Sequence, residues 1–130
     1  MNNQLTKEER LRSKKDIDRL FGNGKSFFQY PFKVLYKIED ETSPYPVQIL
    51  ITVSKRNFKK AVDRNRLKRL VREAYRNNKK SLCIYLSNHN KSMMIGLIYV
   101  GKTILSYQEV ERKLILILQR LIEQDEQTAG

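Results

Sequence analysis

A chain of 130 residues, 40% of them hydrophobic, suits one domain with a modest core and is too apolar for a disordered tail. Twenty-six Lys and Arg against fourteen Asp and Glu give a formal net charge of +12, which points to a polyanionic partner. No apolar run approaches the roughly 20 residues of a membrane-spanning helix, the opening Met1 to Arg12 lacks the apolar core of a signal peptide, and one cysteine, Cys83, cannot form an internal disulfide, so a cytoplasmic protein is expected.

Residues 1–9 read as a flexible polar arm, 10–122 as a single α+β domain and 123–130 as a frayed tail. Ser13, with Asp16 three residues on, opens a short helix whose apolar stripe is Ile17, Leu20 and Phe21, ended by Gly22 and Gly24. Phe27 to Ile38 reads as a strand with Phe28, Tyr30, Phe32, Val34, Tyr36 and Ile38 on one face. Glu39 to Pro46 is a turn or loop. Val47 to Ser54 is a second strand, expected to pair antiparallel with the first, and a break in the pair would make three strands. Asn57 is placed to cap a central helix from about Phe58 to at least Arg76, with Leu67, Leu70, Val71 and Ala74 facing the core. Ser81 to Asn90 fits either a strand or an extension of that helix. Met93 to Val100 is a buried strand, and Ser106 and Glu109 form a capping box for a last helix. The expected fold is an α+β sandwich of helices against one face of a small mixed four-stranded sheet, in the order α-β-β-β-α-β-α, with the basic helix in a βαβ crossover.

The charge is concentrated. Lys55 to Lys80 holds twelve basic and two acidic residues, a net of +10, which leaves +2 for the other 104 residues. A solvated helix face is the ordinary source of a charge run, but here acidic partners are scarce: only Asp63 and Glu73 can pair along the helix. Lys59 and Lys60 fall in the expected first turn, where cations oppose the helix dipole and where an approaching phosphate would offset them. From Arg64 to Arg76 arginine outnumbers lysine five to one, and arginine suits bidentate phosphate contact and base stacking.

Arg64-Asn65-Arg66-x-Lys68-Arg69-x-x-Arg72-Glu73, preceded by Val53-Ser54-Lys55-Arg56 and Ala61, resembles the signature of the ribonuclease P protein family. Leu11 to Asp16, with Phe21 and Gly24, is similar to that family's opening, and the order of elements agrees from about Arg10 to Leu121. The resemblance implies the non-catalytic protein subunit of an endoribonuclease. Its RNA subunit hydrolyses the 5′ leader from precursor tRNA and holds most of the Mg2+, in a particle of one protein and one RNA. It implies RNA binding by Lys55, Arg56, Lys59, Lys60, Arg64, Asn65, Arg66, Lys68, Arg69 and Arg72, and a leader cleft between the sheet and the first helix at Ile17, Phe21 and Tyr36. The family often has an aromatic where Ile17 stands, which leaves that position apolar contact rather than stacking. The resemblance also implies a left-handed crossover.

The residues on their own leave other readings open. Aromatics on one strand face ordinarily build core, so Tyr30, Phe32 and Tyr36 are core or cleft by that argument. Asp16 and Asp18 could touch a magnesium ion near the leader, though surface carboxylates are ordinary. With one histidine, His89, and one cysteine, no protein metal site and no catalytic residue is expected. A ribosomal or RNA-chaperone protein would share the charge. A helix-turn-helix DNA regulator needs a second helix where a strand is expected. A membrane-surface helix would carry tryptophan and an uncommitted apolar face.

Overall fold

The computed structural model describes residues 5–40 and 44–129; residues 1–4 of the expected arm and 41–43 of the expected loop lie outside them. In chain order come a 3-10 turn (Lys7–Glu9), α1 (Lys14–Asn23), β1 (Lys25–Gln29), β2 (Phe32–Asp40), β3 (Val47–Val53), α2 (Ala61–Asn78), α3 (Lys80–Asn88), β4 (Lys91–Tyr99) and α4 (Tyr107–Ala129). The four strands form one mixed sheet in the order β1-β2-β4-β3. β2 runs antiparallel to β4 and β3 parallel to it. The α+β class and the mixed four-stranded sheet are as expected.

The expected pairing of the second and third strands is corrected. β4 lies between them, pairing Tyr36 with Ile95 on one side and Ile49 with Ile95 on the other. β4 is the most buried strand, and the centre of the sheet is where both of its faces can be covered. The break that makes three strands before α2, as expected, falls at the cis Tyr30–Pro31 peptide, where the long first strand folds back into a β1–β2 hairpin. The fold-back resets the alternation, so Phe28 pairs with Lys33 and stays exposed instead of joining the Tyr36 face.

Strand alternation feeds two cores. Phe32, Val34, Tyr36, Val47, Ile49, Met93, Ile95, Leu97 and Tyr99 pack with the buried stripes of α2, α3 and α4. Leu35 and Met94, from the opposite face, pack with Leu11, Leu20 and Ile17. The expectation that helices cover one face is therefore corrected, because α1 lies on the other. Its seat depends on two glycines. A Cβ at Gly96 would come 3.3 Å from Leu20 Cδ2, and one at Gly24 would come 2.3 Å from the Leu20 carbonyl, too close for any side chain.

Residues 80–88 are helical because Leu82 and Leu86, four apart, are fully buried while Ile84 is exposed. α4 does not fray at 123: it continues to Ala129, and Asp125 is 2% exposed. The arm is likewise not loose throughout. Glu9 is buried, and Leu11 donates its amide to the Ile49 carbonyl at 2.9 Å, along the outer edge of β3. Among the described residues no helix is long and apolar enough to cross a membrane.

Candidate nucleic-acid interface

α2 starts at Ala61 rather than at Phe58. Phe58 is used as a core residue, with its ring 6.1 Å from that of Tyr99, and Asn57 donates its side-chain amide to the Val100 carbonyl instead of capping a helix. The turn between them is held by Arg64, which donates from Nη1 to the carbonyls of Phe58 and Lys59, each at 2.8 Å. Lys59 and Lys60 are therefore exposed residues ahead of the helix, Lys60 at its N-cap, rather than members of its first turn. Lys55 and Arg56 lie in the exposed turn after β3.

Leu67, Val71, Ala74 and Tyr75 turn inward from α2, so the motif residues between them turn outward. Asn65, Arg66 and Arg69 are exposed, and Arg64, Lys68 and Arg72 are half-buried. Among the described residues, the ion pairs of the Lys55–Lys80 run are Arg76 with Glu73 and Lys79 with Glu9. Among the described residues no other carboxylate pairs with that positive charge.

The fold adds to this face a residue that the motif does not include. Arg10 joins Arg69, Arg72 and Arg76 around a cavity of about 230 Å³. Burial first, and then the charges of Arg10 and Arg69, hold the Arg72 guanidinium below the usual arginine range. The cluster is kept in place by Glu9, one residue before Arg10, whose carboxylate accepts from Lys79 Nζ at 2.6 Å. Burial pushes the Glu9 carboxyl up, but its bonds to Lys79 and to the Thr6 amide bring it below its ordinary value. Only the basic character of Arg10 could have been noted in the sequence; its place beside α2 comes from the bridge to Ile49 on β3.

The expected cleft residues are not gathered. Ile17 packs in the core beneath α1, whereas Tyr36 is 4% exposed on the opposite face of the sheet. The Tyr36 hydroxyl donates to Gln124 Oε1 at 3.3 Å, under the last turns of α4. Phe21 is 52% exposed on α1. A cavity of about 300 Å³ does open beside Tyr36, lined also by Asn23, Lys25, Lys37, Lys91 and Asp125, but neither Ile17 nor Phe21 lines it. Two further aromatics expected on the same strand face as Tyr36, Phe28 and Tyr30, are 57% and 50% exposed at the hairpin, their rings 6.4 Å apart.

Among the described residues no three His, Cys, Asp or Glu side chains gather to hold a metal ion. Asp16 is engaged by Arg19 at 3.1 Å, and His89 Nδ1 lies 2.8 Å from the Tyr85 carbonyl. Burial raises the Cys83 thiol to about 11, which leaves it protonated and a poor nucleophile at neutral pH.

A family model described as Ribonuclease P matches residues 5–122. A ribonuclease P protein component from Porphyromonas gingivalis is 38% identical over 117 residues, 90% of this chain and 85% of that one. One from Chlorobium phaeobacteroides is 42% identical over 107 residues, 76% of this chain and 73% of that one. The RNase P protein from Thermotoga maritima superposes with a TM-score of 0.67 at 31% identity, covering 86% of this chain and 96% of that chain. The Staphylococcus aureus RNase P protein, at 20% identity, shares the fold with a TM-score of 0.66 over 87% of this chain and 94% of that one. With its basic helix, its mixed sheet and a family match running almost end to end, the chain belongs to the ribonuclease P protein family.

Proposed function

We propose that this chain is the RNA-binding subunit of a cytoplasmic ribonuclease P particle, one protein to one RNA. In this reading it docks the catalytic RNA along α2 and aids removal of the 5′ leader from precursor tRNA. The observation that carries the reading is the outward face of α2, where Arg66, Lys68, Arg69 and Arg72, joined by Arg10, present positive charge that no carboxylate of the chain neutralises among the described residues. RNA offers the matching charge spacing, and bound phosphates would remove the self-repulsion that the cluster costs. Magnesium is assigned to the RNA in this reading; Asp16 is paired with Arg19, and among the described residues no acidic cluster accompanies it. For the leader, the exposed ring of Phe21 and the cavity beside Tyr36 with Lys25 and Lys37 offer an aromatic and positive path for a single strand. Tyr36 itself contributes there as a wall rather than as a free stacking surface.

Reconstitution tests this. The purified protein, mixed with a bacterial ribonuclease P RNA and precursor tRNA at low magnesium, should speed cleavage at the mature 5′ end. Binding without any gain in cleavage would make the chain a general RNA-binding protein, and no binding would end the reading altogether.

A further inference from the structure

Between α2 and the amino end of α4 lies a cavity of about 620 Å³, the largest of the described cavities and well within the roughly 300–1,000 Å³ of small-ligand pockets. Its walls join Arg66, Arg69 and Leu70 of α2 to Ile104, Leu105 and Tyr107 of the segment that follows β4. Leu70 has the periodicity of a core residue, yet it is only half-buried. Ile104, Leu105 and Tyr107 are half-buried as well, packed against the core from its rim. The groove thus combines an apolar floor with two exposed guanidinium groups at its lip. Glu73 also lines it, but its carboxylate is engaged by Arg76.

Tyr107 is fixed in a particular way. Its hydroxyl accepts from Asn77 Nδ2 at 2.9 Å and donates to Glu111 Oε2 at 3.1 Å. With donor and acceptor both used, what remains to offer a ligand is the ring. A fixed aromatic ring, aliphatic neighbours and flanking arginines are what recognition of an unpaired base requires: a stacking platform, an apolar slot and a grip on the phosphate.

We propose that this groove seats one unstacked nucleotide of the ribonuclease P RNA, its base against Tyr107, Leu70 and Leu105 and its phosphate on Arg66 and Arg69. The proposal rests on the docking of that RNA along α2. Arg66 and Arg69 belong to both the docking face and the groove, so an RNA lying on the first reaches the second without leaving the helix.

The test is binding of full-length protein variants to the ribonuclease P RNA across a salt series, with folding checked by thermal melts. Tyr107→Ala should bind about 10-fold more weakly with its log–log salt slope unchanged, because a base contact and no phosphate contact is lost. Tyr107→Phe should bind like the parent, since the hydroxyl is spent inside the protein. Leu105→Ser, which leaves the Asn77–Tyr107–Glu111 bonds in place, should also weaken binding. Arg66→Ala should flatten the slope by about 0.7–0.9. Photo-crosslinking with 4-thiouridine-substituted RNA should join the peptide containing Tyr107 to a single unpaired position. If the parent protein shows no salt-dependent binding, the docking itself fails. If the parent binds and both Tyr107→Ala and Leu105→Ser match it, or if the Tyr107 peptide crosslinks only to precursor tRNA, the groove assignment alone is overturned.

Discussion

Arg64 and Arg72 stand eight residues apart in one basic motif and face different demands. Arg64 is committed to two backbone carbonyls of the turn that seats Phe58 in the core. Arg64→Ala should therefore lower stability by about 1–2 kcal/mol, since hydrogen bonds from a charged donor are among the stronger ones. Any loss of RNA affinity in that variant should track its lower melting temperature. Arg72 meets other guanidinium groups instead. Arg72→Ala should leave the melting temperature unchanged or slightly raised, weaken RNA binding, and flatten the salt slope by about 0.7–0.9. Titrating both variants against the same RNA separates the two roles. Tyr75 supplies a third case. Its ring is fully buried in the core, and its hydroxyl has no hydrogen-bond partner among the described residues. Tyr75→Phe removes that cost, so chemical denaturation should find the variant about 1 kcal/mol more stable than the parent.

At the scale of elements, α4 is pinned at its far end. Asp125 accepts from Lys91 Nζ at 2.9 Å and from the Tyr85 hydroxyl at 2.6 Å, tying α4 to β4 and α3. Burial pushes the Asp125 carboxyl up, but Tyr85 and Lys91 outweigh it and hold it below its ordinary value. The unfolded chain thus takes up that proton more readily than the folded one. The stabilisation is whole above about pH 4, the ordinary carboxylate range, and is lost as pH falls through the lowered folded value. Asp125→Asn should cost about 2 kcal/mol at pH 7, and the gap to the parent should narrow progressively in melts taken as the pH falls below about 4. This contact also marks where the sequence stops being legible. Periodicity carried the apolar stripes of α1, α2 and α4 and the alternation of β3, and a continuous apolar run carried β4, because each depends on neighbours in the chain. It could not carry the placing of β4 between β2 and β3, or of α1 on the other face, because those depend on residues far apart. Of the candidate site, the basic face of α2 was readable from charge and spacing, and the motif on it from its resemblance to the family. Arg10 was not, since a polar opening segment shows nothing of the strand it lies along. The grouping of Ile17, Phe21 and Tyr36 did not survive, because each residue's facing follows from which side of the sheet its element covers.

At the scale of the molecule, charge sets the terms. A net of +10 within 26 residues repels itself, and the fold accepts the repulsion instead of scattering the charge. Ribonuclease P RNA should therefore raise the melting temperature of the protein, strongly in dilute buffer and weakly above about 0.5 M salt, where screening shortens the reach of each charge. Calorimetry of the complex at several ionic strengths reads this directly, and an RNA-induced shift indifferent to salt would contradict it. The Glu9–Lys79 bridge has a further consequence for how the protein is made. It joins positions 70 residues apart, with the arginine cluster between them. During synthesis Glu9 emerges first and has no Lys79 to clasp until the ribosome has delivered the chain through residue 79. The clasp that holds Arg10 beside Arg69, Arg72 and Arg76 therefore closes only after the middle of translation, once both of its ends exist.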